Sequence, residues 1–228
     1  MNICINLIAT GKYVDFLDGI IESSEKNFFP NDSVYYIIHT DCTDRVFPKN
    51  SIINRIDFEE WPNPTLKRFH YFLMAEDDIL KSDFSFYVDV DSLFVNLIDF
   101  ELEPIKGIIS TLHPGFYGTS GTPERNPNSK SYLPIGSQNL YFCGGFFGGD
   151  SVSFVKMSRR IKENIDDDLK NGIIAIWHDE SHLNHYLFYN PPANILGNYF
   201  AISQNQINQH PDSRIVFLDK NHKHLRKK

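Results

Sequence analysis

From Ile3 to Asp91 the sequence alternates apolar segments of strand length with segments of helical period, and this rhythm limits the fold more than any other feature of the chain. Ile3 to Ile8 reads as a buried first strand. Gly11 and Lys12 turn it into a helix over about Tyr13 to Glu25, with Tyr13, Phe16, Leu17, Ile20, Ile21 and Ser24 on one face. Val34 to His39 predicts a second strand and Ile52 to Phe58 a short third. Beyond Trp61 to Pro64, Thr65 is placed to cap a helix whose Leu66, Phe69, Phe72, Leu73 and Ile79 or Leu80 recur on one side. Phe84 to Asp91 follows as a strand that ends in two carboxylates one residue apart. The alternation predicts an α/β sandwich on a mostly parallel mixed sheet.

The second half continues less regularly. Ile108 to Leu112 predicts a strand that ends at His113-Pro114-Gly115, and Gly118 to Asn139 is an irregular loop rich in Gly, Pro, Asn and Ser. Leu140 to Phe147 reads as a strand closed by Gly148-Gly149, after which Asp150 or Ser151 caps a helix carrying Phe154, Met157, Ile161 and Ile165. Ile173 to Trp177 is short and β-branched and is expected as a strand. The next helix runs to about Leu187 and is stopped by Pro191-Pro192; Ile215 to Leu218 is a last strand before a basic tail.

A chain of 228 residues fits one domain. A net charge of -7 argues against tracking a nucleic-acid backbone, which needs a dominant positive footprint. Cys4, Cys42 and Cys143 are too scattered for a disulfide scaffold or a zinc site. No apolar run approaches the roughly 20 residues that span a bilayer, and Ile3 to Ala9 lacks a basic leader. These features lead to the expectation of a soluble, cytoplasmic protein with no transmembrane segment.

Chemistry concentrates at strand ends, where open α/β sheets bind ligands. Asp89 and Asp91 flank Val90 at the C-terminal end of an apolar strand, where alternation puts both carboxylates on one side, ready to share a hard divalent cation with a diphosphate. A nucleotide-sugar transferase is therefore the first hypothesis. Trp177-His178-Asp179-Glu180 gathers an aromatic, an imidazole and two carboxylates, although acidic residues in a helical first turn are also favoured by the exposed amides. His178 and His182 do not form the His-Glu-x-x-His zinc motif. The glycines at 144, 145, 148 and 149 suit a strand-end turn and a ligand wall about equally. His113, Thr122, Glu124 and Arg125 lie in loops, in reach of substrate or merely solvated.

Several blocks in one order resemble glycosyltransferase family 6, which contains the histo-blood-group A and B transferases and α-1,3-galactosyltransferase. They are Trp61 to Phe69, Tyr87 to Val95, Thr111 to Gly118, Trp177 to Asn184, and Lys220-Asn221-His222 with Arg226. The resemblance covers nearly the whole chain and implies a metal-dependent glycosyltransferase A-type fold, with a donor-binding half at about 1–110 and an acceptor and catalytic half at about 111–228. It implies a donor site around Ile8, Ala9, Thr10, Tyr13, Arg68, Asp89, Val90, Asp91, Cys143, Gly144, Gly145, His178, Asp179, Lys220 and Arg226. Asp89 and Asp91 are then the ligands of Mn²⁺, with Mg²⁺ an alternative. His113, Thr122, Trp177 and Glu180 take acceptor positions, and Glu180 is the catalytic carboxylate.

The implied reaction moves GalNAc or Gal from a UDP-sugar to the 3-hydroxyl of a terminal β-galactoside with retention. Gly145, by removing bulk beside the sugar's second carbon, leads to an expectation of UDP-GalNAc over UDP-Gal. The start of the chain at its first strand resembles soluble bacterial or phage-borne members. Those often carry asparagines in place of the metal-binding aspartates, so the two retained acids favour metal dependence. The loop from Gly118 to Thr122 is shorter than the mammalian pattern, Pro123 stands where that pattern has tyrosine, and Ala201 to Asp212 lacks its acidic, tryptophan-containing acceptor segment. A UDP-sugar hydrolase and a catalytically weak sugar-binding protein are the alternatives.

Overall fold

The computed structural model describes residues 1–100, 102, 105–137 and 139–225. Its elements are β1 (Asn2–Ile8), a 3-10 turn (Gly11–Phe16), α1 (Leu17–Asn27), β2 (Ser33–Thr40), β3 (Ser51–Arg55), α2 (Asn63–Leu66), α3 (Arg68–Met74), α4 (Glu76–Ile79) and β4 (Phe84–Val88). There follow β5 (Ser92–Phe94), β6 (Ile108–Leu112), β7 (Phe142–Asp150), α5 (Ser151–Lys170), α6 (His178–Tyr189), β8 (Asn194–Leu196), β9 (Ile202–Ser203), β10 (Ile215–Phe217) and α7 (His222–Leu225).

Seven strands form one mixed sheet in the order β3-β2-β1-β4-β7-β6-β8. The first four run parallel through β1, which pairs with β2 on one side and β4 on the other. β7 runs antiparallel to both β4 and β6. The sheet is consistent with the architecture of a glycosyltransferase A-type fold. Its two faces are filled by separate apolar clusters: Leu17, Ile20, Phe28, Phe86 and Phe146 pack on one, and Phe69, Phe72, Phe147, Phe154 and Ile161 on the other. Alternation along β7 explains the split, because Phe146 and Phe147 are neighbours that must point to opposite faces.

Several expected elements take another form. Thr65 lies inside α2 rather than capping it, and the single helix expected beyond it is broken into α2, α3 and α4. Pro62 and Pro64 permit only the first of these turns to start there. Gly148 and Gly149 stay within β7, paired with Phe86 and Ser85, instead of ending it. A Cβ at Gly148 would meet the Phe86 ring at 2.3 Å, so glycine here permits close approach rather than a turn. Ile173–Trp177 is not a strand. It finds no ladder partner there, and its Ile176 amide donates instead to Glu124 Oε2 at 2.7 Å. Asp150 does cap α5, accepting from the Ser153 amide at 3.0 Å.

A small second sheet, β5-β10-β9, brings the end of the chain against the residues after β4. Phe217 pairs with Ser92, and the Leu218 amide donates to the Asp91 carbonyl at 2.9 Å. This pairing delivers Lys220 and α7 to the C-terminal end of the main sheet. No helix among the described residues is long and apolar enough to cross a membrane.

Candidate functional site

A cleft of about 260 Å³ opens at that end of the sheet, lined by Ile8, Thr10, Tyr13, Arg68, Asp89, Val90, Asp91 and Lys220. Eight residues expected at a donor site thus meet in one place. Ala9 is fully buried behind it and is not part of the lining. Phe58, Glu59, Trp61, Pro64, Thr65, Tyr87, His222 and Leu225 complete the walls.

Asp89, Val90 and Asp91 form the link between β4 and β5, not the last residues of a strand. The two carboxylates nevertheless reach the same cleft. Asp89 Oδ1 accepts from the Tyr87 hydroxyl at 2.6 Å and lies 3.3 Å from Arg68 Nη2. Asp91 is buried and ion-paired with Lys220. The Lys220 ammonium also lies 5.8 Å from the Tyr13 ring centroid, and Lys12 donates to the His224 carbonyl at 3.2 Å. The basic end of the chain is therefore folded over the cleft through His224. Arg226 lies outside the described residues.

Arg68 organises the deep end. It starts α3, its guanidinium lies 4.1 Å from the Tyr87 ring centroid, and Nη1 is 3.0 Å from Asp179 Oδ2 and hydrogen-bonded to the Gly144 carbonyl. From the other side, the Gly144 amide donates to Glu180 Oε2 at 2.8 Å. One glycine on β7 thus fixes the arginine through its carbonyl and the glutamate through its amide. Asp179 and Glu180 stand in the first turn of α6. Asn184, one helical turn on, receives the Phe142 amide and donates to the Phe142 and Glu180 carbonyls, at 2.8, 2.9 and 2.9 Å. This bond set locks α6 to β7.

Burial raises both carboxylates. Asp179 is pushed up to about 6, with Arg68 opposing the shift and Asp89 adding to it. Glu180 is pushed up to about 7 by burial, against the stabilising Gly144 amide and Tyr141 hydroxyl. Perturbed carboxyls at a cleft are a mark of reaction centres.

The expected acceptor residues lie beyond this centre. Trp177 is 46 % exposed, and its indole Nε1 donates to Thr122 Oγ1 at 2.6 Å, tying the loop after β6 to the start of α6. His113 follows β6, and its Nδ1 accepts from the Gly115 amide at 3.0 Å. His178 has φ +52 and packs edge-on against Trp61 at 5.0 Å, on the donor side. Glu124 is buried and accepts the Asn126 and Ile176 amides, while Arg125 donates to the Leu133 and Pro134 carbonyls. These two side chains hold the loop rather than facing substrate. Further along, the buried Asp168 accepts from Ser129 Oγ and the Lys130 amide, fixing the same loop to α5. Burial lowers His182, 3.6 Å from Asp168, to about 3, which keeps it neutral and structural.

Tyr87 and Asn184 were not singled out from the sequence. Position 87 is two residues before Asp89 and position 184 is four after Glu180, the strand and helix spacings that place a side chain beside its partner. No group of three or more His, Cys, Asp or Glu side chains able to hold a metal occurs among the described residues. That is compatible with a hard cation carried by phosphate, which takes one or two carboxylates and completes its shell with phosphate oxygens and water. Asp89 and Asp91 supply such a pair.

Comparison with known proteins places the chain in a family. The chain is 30 % identical over 237 residues to histo-blood group ABO system transferase 1 of Rattus norvegicus, covering 97 % of this chain and 68 % of that protein. It is 31 % identical over 225 residues to the O-antigen biosynthesis glycosyltransferase WbnI of Escherichia coli, covering 96 % and 95 %. Human globoside alpha-1,3-N-acetylgalactosaminyltransferase 1 is 26 % identical over 211 residues, 86 % of this chain and 59 % of the relative. The profile of glycosyltransferase family 6 matches residues 1–227, and the chain belongs to that family.

Proposed function

We propose that this protein is a retaining α-1,3-glycosyltransferase that moves Gal or GalNAc from UDP to the 3-hydroxyl of a terminal β-galactoside. The observation that carries this reading is the Arg68 constellation: Asp89, Asp179 and the Gly144–Glu180 pair converge on one guanidinium beside a cleft that also holds Asp91 and Lys220. One relative named above is an α-1,3-N-acetylgalactosaminyltransferase, which supports the linkage and the sugar class.

In this reading Ile8, Thr10 and Tyr13 receive the uridine, and Asp89 and Asp91 hold Mn²⁺, or Mg²⁺ in its place, against the diphosphate. When bound, the cation offsets charge on the departing UDP. Lys220 shares that task from the opposite wall, and Arg226 is assigned the same role. Arg68 and Asp179 hold hydroxyls of the donor sugar, with His178 and Cys143-Gly144-Gly145 around it. Glu180 presents a carboxylate to the reacting carbon, either attacking it or stabilising its positive charge; both routes give retention. Trp177, Thr122 and His113 receive the acceptor.

The test is an acceptor-panel assay with UDP-Gal and UDP-GalNAc, followed by linkage analysis of the product. An α-1,3 disaccharide product is expected. Free sugar alone marks a UDP-sugar hydrolase, and binding without turnover marks a sugar-binding protein; either result overturns the proposal.

A further inference from the structure

Gly144 and Gly145, each bonded through its carbonyl to a residue of the cleft wall, leave very different spaces. A Cβ on Gly144 would lie 3.3 Å from Glu180 Oε2 and 3.5 Å from Arg68 Nη1, so that position faces the reacting groups. A Cβ on Gly145 would lie 3.1 Å from Asp89 Oδ2 but only 2.5 Å from Phe217 Cζ. The room made by the missing side chain is already taken by a phenyl ring. Phe217 reaches it because β10 pairs with β5 immediately after Asp91, and because the Asp89 amide donates to the Gly145 carbonyl at 2.9 Å, drawing β7 and that link together. The ring is half-buried and packs against the larger apolar cluster, which restrains it from swinging aside.

We propose that Phe217 is a specificity-determining residue that sets the volume beside the second carbon of the donor sugar. A 2-hydroxyl fits next to Gly145 and Asp89, whereas a 2-acetamido group meets the ring. The wild-type protein therefore prefers UDP-Gal, and the expectation drawn from Gly145 alone gives way to one drawn from the pair. Specificity of this kind is built by exclusion. The inference rests on the donor-site reading above.

The test measures binding of UDP-Gal and UDP-GalNAc by calorimetry to the wild-type protein, Phe217→Leu and Phe217→Ala. The ratio of the two affinities within each variant is the readout, so any general loosening of the fold cancels. Removing ring volume should shift that ratio toward UDP-GalNAc by about tenfold or more in Phe217→Ala, with Phe217→Leu intermediate. Gly145→Ala should weaken both donors by forcing the ring away, and combining it with Phe217→Leu should restore much of the loss. A wild-type preference for UDP-GalNAc, or a ratio unchanged in both Phe217 variants, overturns the role of Phe217 and leaves the donor site standing. Failure of the wild-type protein to bind either sugar nucleotide overturns the donor-site reading and this inference together.

Discussion

Asp179 Oδ2 lies 3.0 Å from Arg68 Nη1, with the two side chains 2 % and 7 % exposed. The pair joins the start of α6 to the start of α3, two helices whose apolar residues pack in one cluster on the same face of the sheet. Its energetics follow from desolvation: two charges removed from water are tolerable together and costly apart. A buried pair of this kind adds little net stability. It fixes where Asp179 and Glu180 stand relative to Asp89.

Arg68→Met should therefore destabilise the fold by roughly 3–5 kcal/mol at neutral pH, since Asp179 is left buried without its counter-charge. Converting both partners, as Arg68→Met with Asp179→Leu, should recover most of that stability while leaving the protein inactive. Urea unfolding of the single and double variants measures this. Equal stability of Arg68→Met and wild type would show that the pair does not carry the buried charge.

Glu180→Gln should nearly abolish transfer, by a factor on the order of 10³ or more, while UDP still binds. The side chain also makes stability depend on pH. Its folded value is raised from an ordinary 4.5 to about 7 by burial, so between these values the folded protein keeps a proton that the unfolded chain releases. The contribution is fully present below about 4.5 and is lost as pH rises through about 7. It amounts to a few kcal/mol at most, because the residue is only partly buried. Glutamine avoids this loss. The variant should be more stable than wild type at pH 8 and close to it at pH 4, and a pH-independent difference in denaturant midpoints would refute the assignment. Wild-type turnover should rise with pH toward a limb near 7, as the carboxylate forms.

The sequence made the parallel core legible because β1, β2 and β4 are apolar runs bounded by turns, and the carboxylates of Asp89 and Asp91 announced the cleft. It misplaced Ile173–Trp177, where β-branched residues signal a strand only if a neighbour offers a ladder. Here Glu124, distant in sequence, takes the Ile176 amide instead. The small sheet stayed hidden because β5 and β9 have three and two residues, too few to show a period. That sheet is what brings Phe217 to Gly145 and Lys220 to Asp91. The contacts that join distant strands are set by register, and a local pattern does not contain them.

Trp177→Ala should raise the acceptor KM about fivefold and leave UDP-sugar hydrolysis in the absence of acceptor near its original rate. The exposed indole provides an apolar platform for a sugar face, worth about 1 kcal/mol as an aromatic contact. Thr122→Val should have a smaller effect in the same direction, through loss of the 2.6 Å bond that orients the indole. Steady-state kinetics with and without acceptor separate the two readouts. A matching fall in acceptor-free hydrolysis would place Trp177 at the donor instead.

If Asp91 holds the divalent cation, as proposed above, Lys220 and that cation compete for one carboxylate. Lys220 pairs with Asp91, whose side chain is 4 % exposed, so a cation entering alone must displace the ammonium. A bound diphosphate changes the balance by giving Lys220 another anion, so nucleotide and metal should bind with positive coupling. Lys220→Met should therefore strengthen Mn²⁺ binding in the absence of UDP. In the presence of Mn²⁺ the same change should weaken UDP binding by about tenfold or more, the loss of one charge-assisted hydrogen bond. Asp91→Asn should remove the Mn²⁺ stimulation of UDP binding altogether. Titration of Mn²⁺ followed by electron paramagnetic resonance, with and without UDP, reads each arm directly. Unchanged or weaker Mn²⁺ binding by nucleotide-free Lys220→Met would mean that Lys220 does not occupy the metal's carboxylate, and equal UDP affinity with and without Mn²⁺ in the wild-type protein would remove the cation from the donor site.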